Sequence, residues 1–237
     1  MQIIETEGNK YFKHRNISET TYDDYKLPAY LKNCIPEKSS NVLDIGCGLG
    51  QMLIALQKDG YENACGIDIL PEAVDHCLKH NLKVQLITDL IAFTTTSTST
   101  YDFIVVSHVL EHLPKDTIIH TLQLIKKMLL KPGGSLFIMV PNAQSNTGCY
   151  WAYEDFTHTT IFTAGSLFFV LKSAGFEHVE FMDPLGTVGS HPLVRFMKRI
   201  LIPIYKAKIA FWNRITNSSF HRPSPQIYTY DLKVLAR

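Results

Sequence analysis

The sequence has few of the features that define secreted or membrane-spanning proteins. Its 237 residues include five cysteines, and no two of them form a Cys-x-x-Cys pair. An odd, scattered set argues against a disulfide framework or a zinc ribbon and favours a reducing compartment. The sequence has no run of 18 apolar residues, so it predicts no transmembrane helix. The N-terminal residues include early acidic side chains and lack the apolar core of a signal peptide. We therefore expect a cytoplasmic protein with a single globular domain.

Acidic residues are also absent from one long stretch near the C-terminus. Between Asp183 and Asp231 the chain has seven Lys and Arg residues and no Asp or Glu, so this stretch carries +7 and the remainder −6. Within it, residues 193–215 have apolar side chains at helical spacing with basic side chains between them, and Pro203 is expected to interrupt the helix. Three partners stay open: a membrane surface, the sheet, or a second copy in a homodimer. The apolar interleaving argues against nucleic acid.

Short apolar runs alternate with segments of helical period along most of the chain. Strands are predicted over residues 41–45, 64–68, 83–87, 102–107, 135–140, 176–182 and 227–235, and helices over 51–59, 71–80, 115–130 and 163–173. The Pro-Gly-Gly at 132–134 is expected to end the third helix, and the Thr/Ser tract at 94–100 to be a solvated loop. The alternation predicts an α/β fold with a doubly wound, mostly parallel sheet.

A glycine-rich turn follows the first predicted strand, where such sheets bind their ligands. Gly46, Gly48 and Gly50 form Gly-x-Gly-x-Gly, which differs from the spacing that dinucleotide pyrophosphates need. Asp44 before the turn would repel a phosphate and attract an ammonium group. Two further carboxylates end the second and third strands: Asp68, placed to accept ribose hydroxyls, and Asp89, placed to accept from an adenine amino group. A ligand with an ammonium, a ribose and an adenine but no phosphate is S-adenosylmethionine.

These residues make the sequence resemble a class I S-adenosylmethionine-dependent methyltransferase over about residues 40–182. Residues 44–50 match the first motif of the family, and residues 101–114 and 130–141 resemble its fourth- and fifth-strand motifs. The resemblance implies a Rossmann-like sheet of seven strands, the last one antiparallel, and S-adenosylhomocysteine as product. It also implies cofactor contacts from Asp44, Gly46, Cys47, Gly48, Gly50, Asp68, Ile69, Asp89, Leu90, Ser107 and His108.

The same resemblance divides the single domain into four parts. Residues 1–38 would form an N-terminal helical cap, 39–182 the cofactor-binding core, 183–226 a basic helical insertion and 227–237 the closing strand. In similar enzymes a leading helix closes over the cofactor, and Tyr22 or Arg15 would do so here; a plain surface helix is an equally good interpretation.

Four titratable side chains are candidates for chemistry at the acceptor. His108, Glu111 and His112 would share one face of a helical turn, and His158 would lie near them. Their spacing resembles the Glu-x-x-Glu-His metal site of ubiquinone-pathway O-methyltransferases, with His108 in place of the first Glu; an imidazole-rich set would favour a transition metal over magnesium. The alternative is a metal-free loop that Glu111 and His112 hold in place. Without a metal, His158 is favoured over His108 as general base, with Asp155 beside it.

The acceptor pocket is expected in the aromatic and polar loop of residues 150–163. Aromatic rings there would stack on a sugar face or a flat ring, and Asp155 and His158 would bind hydroxyl groups. The segment resembles methyltransferases of bacterial surface-polysaccharide pathways, which implies an oxygen on a sugar or glycan precursor as acceptor. The alternatives are O- or N-methylation of a small aromatic or isoprenoid metabolite, and a non-catalytic protein that only binds S-adenosylmethionine.

Overall fold

The structure, a computed structural model, describes residues 11–18, 24–221 and 224–237. They form one sheet whose strands are β1 Val42–Ile45, β2 Ala64–Asp68, β3 Val84–Leu86, β4 Tyr101–Ser107, β5 Leu130–Pro141, β6 Val179–Phe181 and β7 Asp231–Ala236. The strand order is β3-β2-β1-β4-β5-β7-β6, and β7 runs antiparallel to both of its neighbours. The predicted seven-stranded, mostly parallel sheet with an antiparallel last strand is confirmed.

Helices cover both faces of this sheet. The helices of the described residues are α1 Tyr11–His14, α2 Ala29–Lys32, α3 Gln51–Lys58, α4 Pro71–Lys79, α5 Leu90–Thr96, α6 Ile118–Leu124, α7 Tyr150–Glu154, α8 Ala164–Ser173 and α9 Pro192–Ile215. A 3₁₀ turn spans Leu110–His112, and a π-helical turn, Ile125–Leu129, follows α6. Buried apolar side chains form a large cluster on one face and a smaller one on the other, where Leu27, Leu31 and Ile35 pack against Phe103 and Phe137. This apolar burial supplies most of the stabilising free energy.

Three local predictions were wrong. The Thr/Ser tract begins inside α5: Thr94 is buried, and its hydroxyl bonds back to the carbonyl of Ile91 at 2.7 Å, so the residue stays in the helix. The Pro-Gly-Gly at 132–134 does not end a helix, because the helical segment ends at Leu129 and β5 already begins at the next residue. Pro203 does not interrupt α9, which runs through it for 24 residues; a proline removes one backbone hydrogen bond but need not end a helix.

The sheet order places the candidate site. The strand order changes direction between β1 and β4: β2 and β3 continue the sheet beyond β1, and β5 continues it beyond β4. β1 and β4 are parallel neighbours in register from Val42 against Phe103 to Ile45 against Val106. Loops that leave the carboxyl ends of these two strands must turn to opposite sides, so a crevice opens there. The antiparallel β7 brings its first residue, Asp231, to the same edge, opposite Pro141 at the end of β5.

Candidate functional site

The turn after β1 approaches its surroundings closely at one end and leaves open space at its centre. A Cβ atom on Gly46 would lie 2.3 Å from a methyl group of Val109, so only glycine fits there. A Cβ on Gly48 would find nothing nearer than 4.0 Å, where Gln51 and the Phe12 ring begin. Both glycines have positive φ, 72° and 52°. The centre of the turn therefore lies open to a ligand, with the Phe12 ring beyond it.

The packing at Gly46 gives a stability prediction. We expect Gly46→Ala to lower the free energy of unfolding by roughly 1–3 kcal/mol more than Gly133→Ala does. Gly133 is a matched control because its φ is also positive, 78°, while a Cβ there would meet nothing within 4 Å. Urea denaturation of both variants measures the difference. Equal losses would show that backbone strain, and not the approach of Val109, accounts for the glycine.

Asp68 holds the turn in place. One carboxylate oxygen accepts from the backbone N–H of Gly48 at 2.8 Å, and the other accepts from the N–H of Leu70 at 2.8 Å. Burial raises the pKa of this carboxyl and outweighs the hydrogen bonds from Leu70 and Gly48, which lower it. Each oxygen keeps a second lone pair, so Asp68 can hold the turn and still accept from two hydroxyls of a ligand.

Asp44 is a buried carboxylate next to this turn. It is 2% exposed. Burial, together with the neighbouring charge of Asp68, raises the pKa of Asp44 to about 8. A carboxylate in these conditions is destabilised until a cation neutralises it. The site is therefore suited to a ligand with a positively charged group.

The other predicted cofactor residues lie around the same crevice. Asp89 caps α5, since its carboxylate accepts from the N–H of Ala92 at 2.7 Å, and the side chain of Leu90 is buried in the larger core cluster. The side chain of Cys47 is buried as well, so any ligand contact from Cys47 would come through its backbone. Ile69 is half-exposed beside Asp68, and Ser107 ends β4.

His108 and Glu111 form a pair directly beyond β4. The backbone of His108 has a φ of 55°, which turns the chain sharply at the end of the strand. Its Nδ1 lies 3.3 Å from Oε1 of Glu111, and its Nε2 lies 3.9 Å from Asp231. Burial lowers the pKa of His108, but the attraction of the adjacent Glu111 carboxylate outweighs it, so the pKa is raised. Burial raises the pKa of Asp231 to about 6.

Glu111 is the least satisfied polar side chain of this region. Its side chain is fully buried, and neither carboxylate oxygen accepts a hydrogen bond of acceptable geometry from a described residue. Its backbone carbonyl accepts from the N–H groups of Thr159 and Thr160, which joins the β4 turn to the predicted acceptor loop. A buried carboxylate without donors is costly unless a ligand completes it.

His112 and His158 stand beside Glu111 with their rings 4.6 Å apart. His158 Nδ1 lies 2.5 Å from the carbonyl oxygen of Trp151, which can only accept, so Nδ1 carries the proton. The Thr157 hydroxyl donates to Asp155 at 2.5 Å and therefore accepts from His112 Nδ1 at 2.9 Å. In the neutral form of each ring, a proton on Nδ1 leaves Nε2 free to bind a ligand. Burial lowers the pKa of His112 and outweighs the attraction of Glu111, which keeps this ring neutral.

Three of the four predicted metal ligands come together here. One ligand atom from each of Glu111, His112 and His158 lies within 4.8 Å of the others. A buried carboxylate and two neutral imidazoles are the donor types that transition metals bind. His108 is not part of this group, although its Nδ1 lies 3.3 Å from Oε1 of Glu111.

Asp155 has a structural role that the sequence did not predict. Its Oδ2 accepts from the Tyr11 hydroxyl at 2.9 Å and pairs with Arg15 at 2.9 Å. Burial raises the pKa of Asp155, but hydrogen bonds from Thr157 and Tyr11 and the charge of Arg15 lower it below the ordinary value, so it stays ionised. Its distance to His158 Nε2 is 3.8 Å, too long for a hydrogen bond.

The segment around α1 approaches the turn through Phe12, whereas Arg15 pairs with Asp155. Phe12 donates its backbone N–H to Glu72 at 3.2 Å. The edge of its ring lies 4.0 Å from the position that a Cβ on Gly48 would take. Tyr22, the other predicted residue of this segment, lies outside the described residues. Sequence reasoning missed Tyr11 and Asp231; only the antiparallel direction of the last strand could have placed Asp231 at this edge.

Comparison with known proteins identifies the family. Residues 19–180, more than half of the chain, match the family model of a methyltransferase domain. The chain belongs to this methyltransferase family. A ubiquinone biosynthesis O-methyltransferase of Coxiella burnetii is 28% identical over 161 residues, which are 65% of this chain and 62% of that protein. The chain thus aligns with about three fifths of the length of this curated relative.

Solved methyltransferase structures share the fold. A SAM-dependent methyltransferase from Archaeoglobus fulgidus superposes with a TM-score of 0.64 at 23% identity, over 95% of this chain and 97% of that one. Human N-acetylserotonin methyltransferase in complex with SAM gives a TM-score of 0.59 at 14% identity, over 99% of this chain and 57% of that one. The predicted class I methyltransferase fold is confirmed. The C. burnetii methyltransferase is named for ubiquinone biosynthesis, so this comparison does not support the resemblance to surface-polysaccharide enzymes.

Proposed function

We propose that this methyltransferase transfers the methyl group of S-adenosylmethionine to a hydroxyl oxygen of a small aromatic or isoprenoid metabolite. The observation that carries the proposal is the group of Glu111, His112 and His158, in which a buried carboxylate that accepts no hydrogen bond from a described residue lies beside two imidazole rings. An acceptor hydroxyl must lose its proton on methylation, and groups of this kind are suited to binding and activating it. The names of the curated relatives support an oxygen acceptor.

The donor would lie in the crevice between β1 and β4. Asp44 would meet the ammonium group, which restores the charge balance of a buried carboxylate whose pKa is otherwise raised to about 8. Asp68 would accept the ribose hydroxyls through its free lone pairs, and the open space at Gly48 would admit the ligand against the backbone. The ring of Phe12 would cover the donor and exclude water. Alignment of the methyl group with the acceptor oxygen is the main contribution of this scaffold to the rate.

A divalent transition-metal cation fits the acceptor side. Glu111, His112 and His158 would hold it, and hydrogen bonds that the rings donate to the Thr157 hydroxyl and the Trp151 carbonyl already orient the two rings. Bound there, a cation lowers the pKa of a coordinated hydroxyl. His108 would remain outside this ligand set, paired with Glu111 and raised in pKa, and would take part in positioning Glu111.

A sugar or glycan hydroxyl is the second candidate acceptor. Two aromatic side chains of the predicted acceptor loop, Tyr153 and Phe156, are 80% and 88% exposed. Exposed rings of this kind stack on the apolar faces of sugars. The aromatic wall formed by Trp151 and Tyr230, whose centroids lie 5.3 Å apart edge to face, suits a flat ring equally well.

The acceptor class is tested with methyl-labelled S-adenosylmethionine and an extract of the source cells. We expect the label to enter the organic phase of a solvent partition, which contains isoprenoid and apolar aromatic products. Label in the aqueous phase that is retained with carbohydrate would establish the second candidate. Binding of the donor with no labelled product in either phase would contradict methyl transfer and favour a non-catalytic binding protein.

A further inference from the structure

Helix α9 presents its apolar face away from the rest of the protein. Side chains at one side of the helix are partly buried and hold it in place; they are Lys198, Ile202, Tyr205, Lys206, Ile209 and Asn213. The opposite side, which we call the outer face, is apolar and exposed, and consists of Leu193, Phe196, Met197, Ile200, Ile204 and Phe211. Phe196 is 61% and Phe211 59% exposed. A helix that packs on a core has the reverse arrangement, with its apolar side inward.

Specific contacts fix this orientation. Tyr205 donates to the amide oxygen of Asn146 at 3.2 Å, and its ring meets Tyr228 edge to face at 5.3 Å. The ammonium of Lys198 donates to the carbonyl oxygen of Gly186. These inward contacts use the polar ends of long side chains, so the apolar outer face is left for another partner. The sequence alternative in which α9 covers the sheet is therefore wrong, because no residue of α9 is buried.

The charges of α9 identify the kind of partner. The helix has six basic residues, Arg195, Lys198, Arg199, Lys206, Lys208 and Arg214, and no acidic one. Lys208 and Arg214 are exposed at the two borders of the outer face, and Trp212, 54% exposed, lies one turn beyond Lys208 on the same side. Lys and Arg that flank an apolar strip with Trp and Phe are typical of helices that lie in the interface of an anionic bilayer.

A second copy of the chain is a poorer match. Two α9 helices packed face to face would bring their arginines together without any acidic residue of the helix to pair with them. Among the described residues, no helix has the length and apolarity needed to cross a bilayer. The six basic residues instead suit a helix that lies along the surface.

We propose that α9 docks the protein on an anionic membrane surface, with the outer face inserted among the lipid chains and Lys208 and Arg214 against the headgroups. This goes beyond methyl transfer and does not depend on it. Tyr228 and Asn146, which receive α9, continue into the segments that bear Tyr230 and Trp151 of the candidate site. Docking through α9 would thus bring the acceptor side of the site close to the bilayer.

Co-sedimentation with vesicles tests the proposal on the full chain, without methyl donor or acceptor. We expect binding to vesicles of equal parts phosphatidylglycerol and phosphatidylcholine, weaker binding at high salt, and a blue shift of tryptophan emission that is lost in Trp212→Phe. The double variant Phe196→Ser/Ile200→Ser should lower the association constant more than about tenfold. Lys208→Gln/Arg214→Gln should lower it about thirtyfold.

Phe169→Ser is the matched control, since Phe169 is 64% exposed on α8, away from the outer face. It should bind as the unmodified protein does. The proposal is overturned by absence of vesicle binding, by equal binding to pure phosphatidylcholine, or by equal loss in the control. It is also overturned if sedimentation velocity shows a dimer that Phe196→Ser/Ile200→Ser converts to a monomer. None of these results would affect methyl transfer measured in solution.

Discussion

Glu111→Gln is expected to lower kcat roughly 100- to 1000-fold. The variant keeps the shape and burial of the side chain but removes the charge that lies beside the rings of His112 and His158. Donor affinity should be unchanged, because Glu111 lies on the acceptor side. Steady-state kinetics with labelled donor, together with calorimetric donor binding, separates the two effects. Glu154→Gln is the control, since this exposed carboxylate at the end of α7 is not part of the group formed by Glu111, His112 and His158.

Metal removal should reproduce the loss seen in Glu111→Gln. A preparation stripped by a chelator is expected to lose activity and to recover with a transition metal more than with magnesium, as the imidazole-rich donor set favours. Metal content by mass spectrometry should fall in Glu111→Gln and not in Glu154→Gln. Full activity in a preparation proved free of metal would contradict the cation proposal. The role of general base would then fall to His158 through its unprotonated Nε2, and His158→Ala would test it.

Asp44→Asn is expected to act in opposite directions on donor binding and on stability. Loss of the carboxylate should weaken S-adenosylmethionine binding about 10- to 100-fold, because a charge-assisted hydrogen bond to the ammonium is lost. Without donor, the variant should be more stable than the unmodified protein at pH 8, by an amount on the order of several kcal/mol as an upper bound. The cause is the buried carboxylate, whose pKa is raised to about 8 in the fold.

The pH dependence gives the sign of this effect. A group whose pKa is raised on folding contributes stability below its unfolded pKa and loses that contribution as pH rises through the folded value. The stability of the unmodified protein relative to Asp44→Asn should therefore fall between about pH 4 and about pH 8. Thermal unfolding of both proteins across this range measures it. A constant difference would show that Asp44 titrates normally, and equal donor affinity would remove Asp44 from the donor site.

The sheet and the glycine turn after β1 could be predicted because their signals are local in sequence. Asp44, Gly46 and Gly48 lie within five residues of one another, and the periodicity of strands and helices is a property of short windows. The errors came where tertiary context overrides local preference. Thr94 looked like part of a polar tract and is buried in α5, and Pro203 looked like an interruption and lies inside α9.

The acceptor side could be predicted only in part, because it is assembled from distant segments. His112 and His158 were both candidates, but their common orientation depends on Thr157 and on the carbonyl of Trp151. The contact between Tyr11 and Asp155 joins residues 144 positions apart and leaves no local signal. For α9, periodicity predicted an apolar stripe, but only the contacts of Tyr205 and Lys198 show that the stripe faces outward.

Asp155 links the two halves of the site. One oxygen takes Tyr11 and Arg15 from the segment that covers the donor turn, and the other takes the Thr157 hydroxyl that orients His112. Displacement of the covering segment to exchange donor for product must break the bonds to Tyr11 and Arg15. The same step disturbs the support of the His112 ring. Exchange of the donor and readiness for the acceptor are thus mechanically coupled, and in a full catalytic cycle this coupling favours a compulsory order in which the donor enters first and its product leaves last.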